Sequence, residues 1–243
     1  MRKTNLDFIP EFRRMATFLI CMRQAGLRLS GGMRAIPVFL ITLRRKLIYQ
    51  GRKREKTKMS LPQKKEYYTY ADYCSWDDGK RWELIEGVPH AMSPAPTTKH
   101  QSVSSNLHGQ FFNFLSGKPC KVFHAPFDVR LNAHDNDDTV VQPDLTVICD
   151  RSKLDDKGCK GAPDLVVEIS SPSTARLDRV VKFNQYLKAG VTEYWIIDLD
   201  AKTLQVCILE NGRYFTTVYA DTDTALVKVL NGCIINLAEV FAE

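Results

Sequence analysis

The run "APDLVVEIS", residues 162–170, is an apolar strand with a carboxylate, Glu168, in its interior. Alternation sends Leu165, Val167 and Ile169 to one face and Asp164, Val166, Glu168 and Ser170 to the other. A charged Glu in such a strand costs several kcal/mol unless it is paired or coordinates a cation. Whatever the chain folds into must therefore supply Glu168 with a partner.

The flanking sequence limits what that partner can be. Upstream, "VVQPDLTVIC" reads as a strand with Leu145, Val147 and Cys149 on one face and Asp144, Thr146 and Ile148 on the other. Asp144 and Glu168 share one side of a sheet if the two strands are neighbours. Downstream, "SPSTARLDRVVKFNQYLKAGV" reads as a helix, with Ser173 or Thr174 as N-cap, Lys188 in the last turn and Gly190 at the end. Asp178, Lys182 and Tyr186 recur at intervals of four along it and share a stripe.

Around this centre the chain alternates hairpins, helices and strands. "YTYADYCSWDD" reads as a short helix, and "RWELIEGVPHAM" as a hairpin turning at Glu86 and Gly87. Residues 99–115 form a helix with Val103, Leu107, Phe111 and Leu115 on one face, closed by Gly117. The acidic stretch "NAHDNDD" reads as a surface loop, and "DRSKLDDKGCKG" as a polar connection between the two central strands. "EYWIIDLD" reads as a buried strand, and "TLQVCILENGRYFTTVY" as a hairpin with an Asn211-Gly212 turn. This order describes an α/β protein whose sheet has mixed strand directions.

Two carboxylates on one side of a sheet repel each other, which raises the pKa of one of them, so Asp144 does not neutralise Glu168. A divalent magnesium ion reconciles both, because it takes oxygen ligands and keeps waters or phosphate oxygens in its remaining positions. Such an ion activates a water for attack on phosphorus, and a nearby ammonium stabilises the charge that develops. Lys182 is the available ammonium. It is also the simplest structural salt-bridge partner for Glu168. Asp144 before its strand can equally be a turn residue, His100 a cap or core histidine, Asp178 a residue favoured by the helix dipole, and Tyr186 and Trp195 packing residues.

Charge is unevenly divided. Residues 1–58 hold 15 Lys and Arg against 3 acidic residues, whereas residues 59–243 hold 19 against 25. The pI near 8.9 therefore belongs to the first segment and is no argument for nucleic-acid binding by the rest. Residues 1–58 read as a basic extension, disordered or untranslated, with Met59 as the natural start of a domain over residues 59–243. The apolar runs of the extension are too short to span a bilayer. Seven scattered cysteines show no metal-ligand spacing, which argues against structural zinc and for a reducing cytoplasm. No Ser/His/Asp arrangement and no phosphate-cradling Gly loop is present.

The stretches "WELIEG", "QPDLTVI" and "DLVVEISSPSTARLDRVVKFNQYLKAGVTEYWIID", with His100 between the first two, resemble the Uma-two family of restriction-endonuclease-like proteins, within the PD-(D/E)XK nuclease superfamily. The resemblance covers residues 67–241 and rests on the order of these motifs rather than on any one of them. It implies a restriction-endonuclease-like mixed β-sheet flanked by helices, with an extra N-terminal β-hairpin. It implies metal-dependent hydrolysis of DNA with magnesium or manganese, in the cytoplasm, by a homodimer. Asp144 and Glu168 would be the metal carboxylates and Lys182 the catalytic lysine, with Glu83 and His100 at the edge of the cleft. Ser170 departs from the superfamily pattern, which has Lys two residues after the second acid, and Lys182 on the following helix matches the relocated lysine. Lys153, Lys157, Lys160, Arg176 and Arg179 flank the motifs as candidate phosphate contacts. Two alternatives stand beside the nuclease: a non-catalytic nuclease-fold module that binds nucleic acid or a protein, and an accessory protein that assembles through its edge strand or hairpin.

Overall fold

A computed structural model of the chain describes residues 66–92, 95–132, 137–170 and 177–242. The basic extension, the Met59 start, the Ser173 or Thr174 cap, Arg176, the side chains of Asp178 and Arg179, and residues 133–136 of the acidic turn lie outside the described residues. The rest is a mixed α/β fold with two six-stranded sheets among the described residues.

The chain opens with helix α1 (Tyr70–Tyr73), followed by strands β1 (Trp82–Ile85) and β2 (Val88–Ala91). The hairpin between them turns at Glu86 and Gly87, both at positive φ. Helix α2 (Thr98–Leu115) buries Val103, Leu107, Phe111 and Leu115, as the four-residue spacing requires. Strands β3 (Lys121–His124), β4 (Val129–Arg130), β5 (Val140–Val141) and β6 (Leu145–Ile148) follow. Next come β7 (Leu154–Asp155), β8 (Gly158–Lys160) and β9 (Leu165–Ser170). A π-helical turn (Leu177–Lys182) runs into α3 (Phe183–Ala189), which ends on Gly190 in the left-handed region. Strands β10 (Glu193–Asp198), β11 (Thr203–Glu210) and β12 (Arg213–Ala220) precede a terminal unit of β13 (Thr224–Leu226), β14 (Ile234–Asn236) and α4 (Leu237–Val240).

The first sheet has the order β2-β1-β5-β4-β8-β7 and the second β12-β11-β10-β9-β6-β3. Each contains one parallel pair, β4 with β8 and β9 with β10, so both are mixed. Strands β6, β9 and β10 are buried on both faces. One face carries Leu145, Val147, Leu165, Val167 and Trp195 onto α2 and the terminal unit. The other carries Ile148, Val166, Tyr194 and Ile196 onto Tyr186 of α3 and onto Val129 and Val141 of the first sheet.

Four readings of the sequence are corrected. The single strand expected over "VVQPDLTVIC" is divided between the two sheets, because Pro143 has no N–H to continue a ladder. The supposed polar connection after Cys149 is the β7–β8 hairpin of the first sheet. Its Gly158 has a φ of 127°, and a Cβ there would collide with the Asp128 carbonyl. Asp137, at the end of the acidic turn, is buried rather than on the surface. Cys120 and Cys149, expected to be reduced, form a disulfide: the Lys121–Ile148 pairing of β3 and β6 sets them opposite each other one step further along.

Trp195 does more than pack. Its Nε1 donates to Glu193 Oε1 at 2.7 Å, while Val229 N donates to Glu193 Oε2 at 2.9 Å. Glu193 is fully buried, and burial pushes its carboxyl pKa up. It ties β10 to the terminal unit. Glu193→Ala orphans two buried donors, each worth about 1–3 kcal/mol, whereas Glu193→Gln keeps an acceptor. Urea denaturation should rank stability wild type, Glu193→Gln, Glu193→Ala in descending order.

Candidate active site

Glu168 lies in the middle of β9, 4% exposed, and its partners come from the helix that follows. Lys182 Nζ stands 3.0 Å from Glu168 Oε1, and the Tyr186 hydroxyl donates to the same oxygen at 2.6 Å. Lys182 closes the π-helical turn and Tyr186 lies four residues further on, so both project from one side of the helix onto the sheet. Burial first, and the neighbouring Glu168 charge second, push the Tyr186 pKa well above its ordinary value. The phenol therefore stays protonated and serves as a donor.

The same ammonium reaches the other sheet. Lys182 Nζ is 2.8 Å from Glu83 Oε1 on β1, and Glu83, 2% exposed, also accepts from Gln142 N at 2.9 Å. One buried lysine thus neutralises carboxylates from two sheets. Asp144 stands just before β6, where the Leu145–Val167 pairing extends to place it opposite Glu168. Its Oδ2 accepts from Ile169 N at 2.7 Å and lies 3.3 Å from His100 Nε2. His100 is held there by the first turn of α2, whose Thr97 cap accepts from His100 N.

All five residues singled out in the sequence fall in this region. Glu83, Glu168 and Lys182 form one cluster, and Asp144 with His100 adjoins it through the Ile169 amide. Two others were missed. Tyr186, read as packing, orients Glu168; its four-residue spacing from Lys182 was the available signal. Gln142 had no signal, because its role depends on Pro143 handing the chain from one sheet to the other. Lys153 is diverted from the proposed phosphate patch, since its Nζ donates to Ala162 O at 2.8 Å.

Two carboxylates share Lys182, and a third, Asp144, stands beside them against His100. Asp144 and Glu168 are hard oxygen donors on adjacent strands and fit a divalent ion that retains waters. Among the described residues no three His, Cys, Asp or Glu side chains converge as a ready cation cage.

Removing Lys182 exposes the electrostatic cost. Lys182→Met leaves two buried carboxylates uncompensated and should destabilise the fold by about 3–5 kcal/mol in urea titrations. Tyr186 sets an alkaline limit. A pKa raised by folding gives stability that is intact below the unfolded value near 10 and is lost as pH climbs beyond it. Tyr186→Phe should flatten that alkaline loss in thermal melts between about pH 9 and 11, at the expense of the Glu168 hydrogen bond.

Three comparisons bear on this arrangement. A crystal structure from Anabaena variabilis, described as a "putative nuclease belonging to DUF820", superposes with a TM-score of 0.58 at 20% identity, covering 71% of this chain and 97% of that one. At that identity the likeness shows a shared, nuclease-like fold. A Synechocystis sp. protein described as "Uncharacterized protein slr1290" is 30% identical over 117 residues, which is 47% of this chain and 60% of the relative's own length. No helix among the described residues is long and apolar enough to cross a membrane. The family model "Uma2: Putative restriction endonuclease" matches residues 67–238, and the chain belongs to that family.

Proposed function

We propose that the chain is a metal-dependent DNA endonuclease with a restriction-endonuclease-like fold, acting through Asp144, Glu168 and Lys182. The observation that carries the reading is that Asp144, one residue before β6, accepts from the Ile169 amide beside Glu168 on β9, with Lys182 Nζ 3.0 Å from Glu168. The paired carboxylates would hold magnesium or manganese. When bound, such an ion polarises a phosphoryl oxygen and lowers the pKa of a water.

The residues themselves have separable tasks. His100 and the Ile169 amide fix the Asp144 carboxylate, and Tyr186 fixes Glu168. Lys182 presents its ammonium where negative charge grows on the phosphoryl oxygens during attack by water. Water bonds to phosphorus, the P–O bond to the leaving strand breaks, and the leaving oxygen takes a proton. Glu83 holds the lysine in place from the opposite sheet. Cutting both strands of a duplex calls for two such centres, which a homodimer supplies.

One observation favours the non-catalytic reading. Lys182 already pairs with both buried glutamates, as it would in a purely structural ion pair. The full chain should nick or linearise supercoiled DNA with magnesium or manganese and not with EDTA. Asp144→Ala and Glu168→Ala should each lower that rate by at least about 10³-fold, the range of losing a principal charge-stabilising group. Folded variants that cut as fast as the wild type, or a wild type that neither cuts nor binds either metal by calorimetry, would leave Glu168 as half of a structural pair.

A further inference from the structure

A cleft of about 610 Å3 opens beside this centre, lined by aromatic rings from α1, the turn after it and β1. The rings of Tyr70, Tyr73, Trp76 and Trp82 follow one another with centroid spacings of 5.7, 5.6 and 5.8 Å, the first pair stacked, the second tilted at 57° and the third edge to face at 71°. All four are half-buried. Tyr70, Tyr73 and Trp76 pack one side against the small core of Tyr68, Leu84 and Val140, and that packing accounts only for the sides turned inward.

Three lining residues are basic in an acidic domain, and the exposed Asp78 accepts from Trp82 Nε1 at 3.1 Å beside them. Lys80, Arg81 and Lys157 are exposed around the cleft, and none forms an ion pair among the described residues. Two of them rest loosely over rings: Lys80 Nζ is 5.9 Å from the Trp82 centroid and Lys157 Nζ 5.7 Å from that of Tyr70, near the outer limit of such contacts. The carboxylate in the lining, Asp128, is engaged by the Tyr73 hydroxyl at 3.1 Å and Gln142 Nε2 at 2.8 Å.

Gln142 connects the cleft to the candidate centre. Its Nε2 donates to Tyr73 Oη at 3.0 Å, its Oε1 accepts from Arg81, and its backbone N donates to Glu83. Asp144 follows two residues later, a chain separation of roughly 7 Å.

We propose that this cleft binds an unpaired nucleobase, stacked on Trp82, whose ring meets Trp76 edge to face, with its flanking phosphates on Lys80, Arg81 and Lys157, and presents the adjoining phosphodiester to Asp144 and Glu168. The base-binding part stands on the cleft alone; the delivery rests on the nuclease reading. Stacking on aromatic faces tolerates any sequence but needs a base free of its own stack. Duplex DNA withholds that face unless a nucleotide is extruded. The preferred substrate is accordingly a single strand, a flap or a frayed end.

Tryptophan fluorescence tests this directly. Of the three tryptophans, Trp195 is fully buried against α2, and residues 1–58 contain none. Quenching therefore reports the cleft, and DNA held only by the basic extension stays silent. The full chain in EDTA would be titrated with an oligothymidylate of about 12 nucleotides and with its duplex with oligodeoxyadenylate. Saturable quenching by the single strand, at least about tenfold tighter than by the duplex, is expected. Lys80→Glu with Lys157→Glu, both exposed changes, should weaken it and lower the salt slope by about 0.7 per lost phosphate contact. Trp82→Phe should reduce the amplitude of quenching. Absence of quenching, equal affinity for the duplex, or quenching unaltered in the double variant would overturn the proposal. Because no divalent ion is present, strand-selective quenching by a protein that fails to cut with magnesium would sink the nuclease reading and leave the cleft standing. Cutting with strand-blind fluorescence would do the reverse.

Discussion

The ammonium of Lys182 is the interaction on which the arrangement depends. It lies between Glu83 of the first sheet and Glu168 of the second, at 2.8 and 3.0 Å. Each carboxylate is almost wholly withdrawn from water, a withdrawal costing several kcal/mol that only a close counter-charge offsets. Because the lysine comes from the helix after β9, the ion pair also fixes that helix against both sheets. An apolar substitute could fill the same volume, but it would not hold two acids at one point. What the ionic cluster does is hold two carboxylates from different sheets at one point.

Much of this was legible before the fold was known, because local patterns decide it. Alternation in β9 and β6 put Asp144 and Glu168 on one side, and the register of those strands, carried one residue past its last pair, sets them opposite each other. The four-residue spacing in α2 identified the buried face, and both glycine-containing hairpin turns formed where their dipeptides stand. The failures are equally physical. Pro143 was visible, yet its consequence, a change of sheet within three residues, depends on which edge each half finds. The β7–β8 hairpin was hidden because its polar residues serve an edge of the first sheet. The Cys120–Cys149 bond arises from a cross-strand register that no spacing of 29 residues discloses. In the site, carboxylates and lysine stood out by their cost, whereas Tyr186 and Gln142 act through single hydrogen bonds and look ordinary in sequence.

The acidity of residues 59–243 looks unfavourable for a nucleic-acid enzyme, yet it has a local remedy. A site of three carboxylates repels phosphate, and that repulsion falls within about a Debye length, roughly 8 Å at physiological salt. In the proposed nuclease, Lys182 and a divalent ion would act at the centre itself. Lys80, Arg81 and Lys157 would act at the neighbouring cleft, where none is held in a close ion pair among the described residues. Net charge thus governs the approach from afar, while the order of charges along the last few ångströms governs whether a strand can settle.

The change of sheet at Pro143 draws these features into one design. Gln142 closes the first sheet's contribution and Asp144 opens the second's, so two adjacent positions on either side of one proline face different neighbours. Gln142 is tied to the aromatic cleft and to Glu83, while Asp144 is tied to Ile169 and His100. In the proposed nuclease, a strand held in the cleft would thus have its register set by two residues of continuous chain, from Gln142 to Asp144.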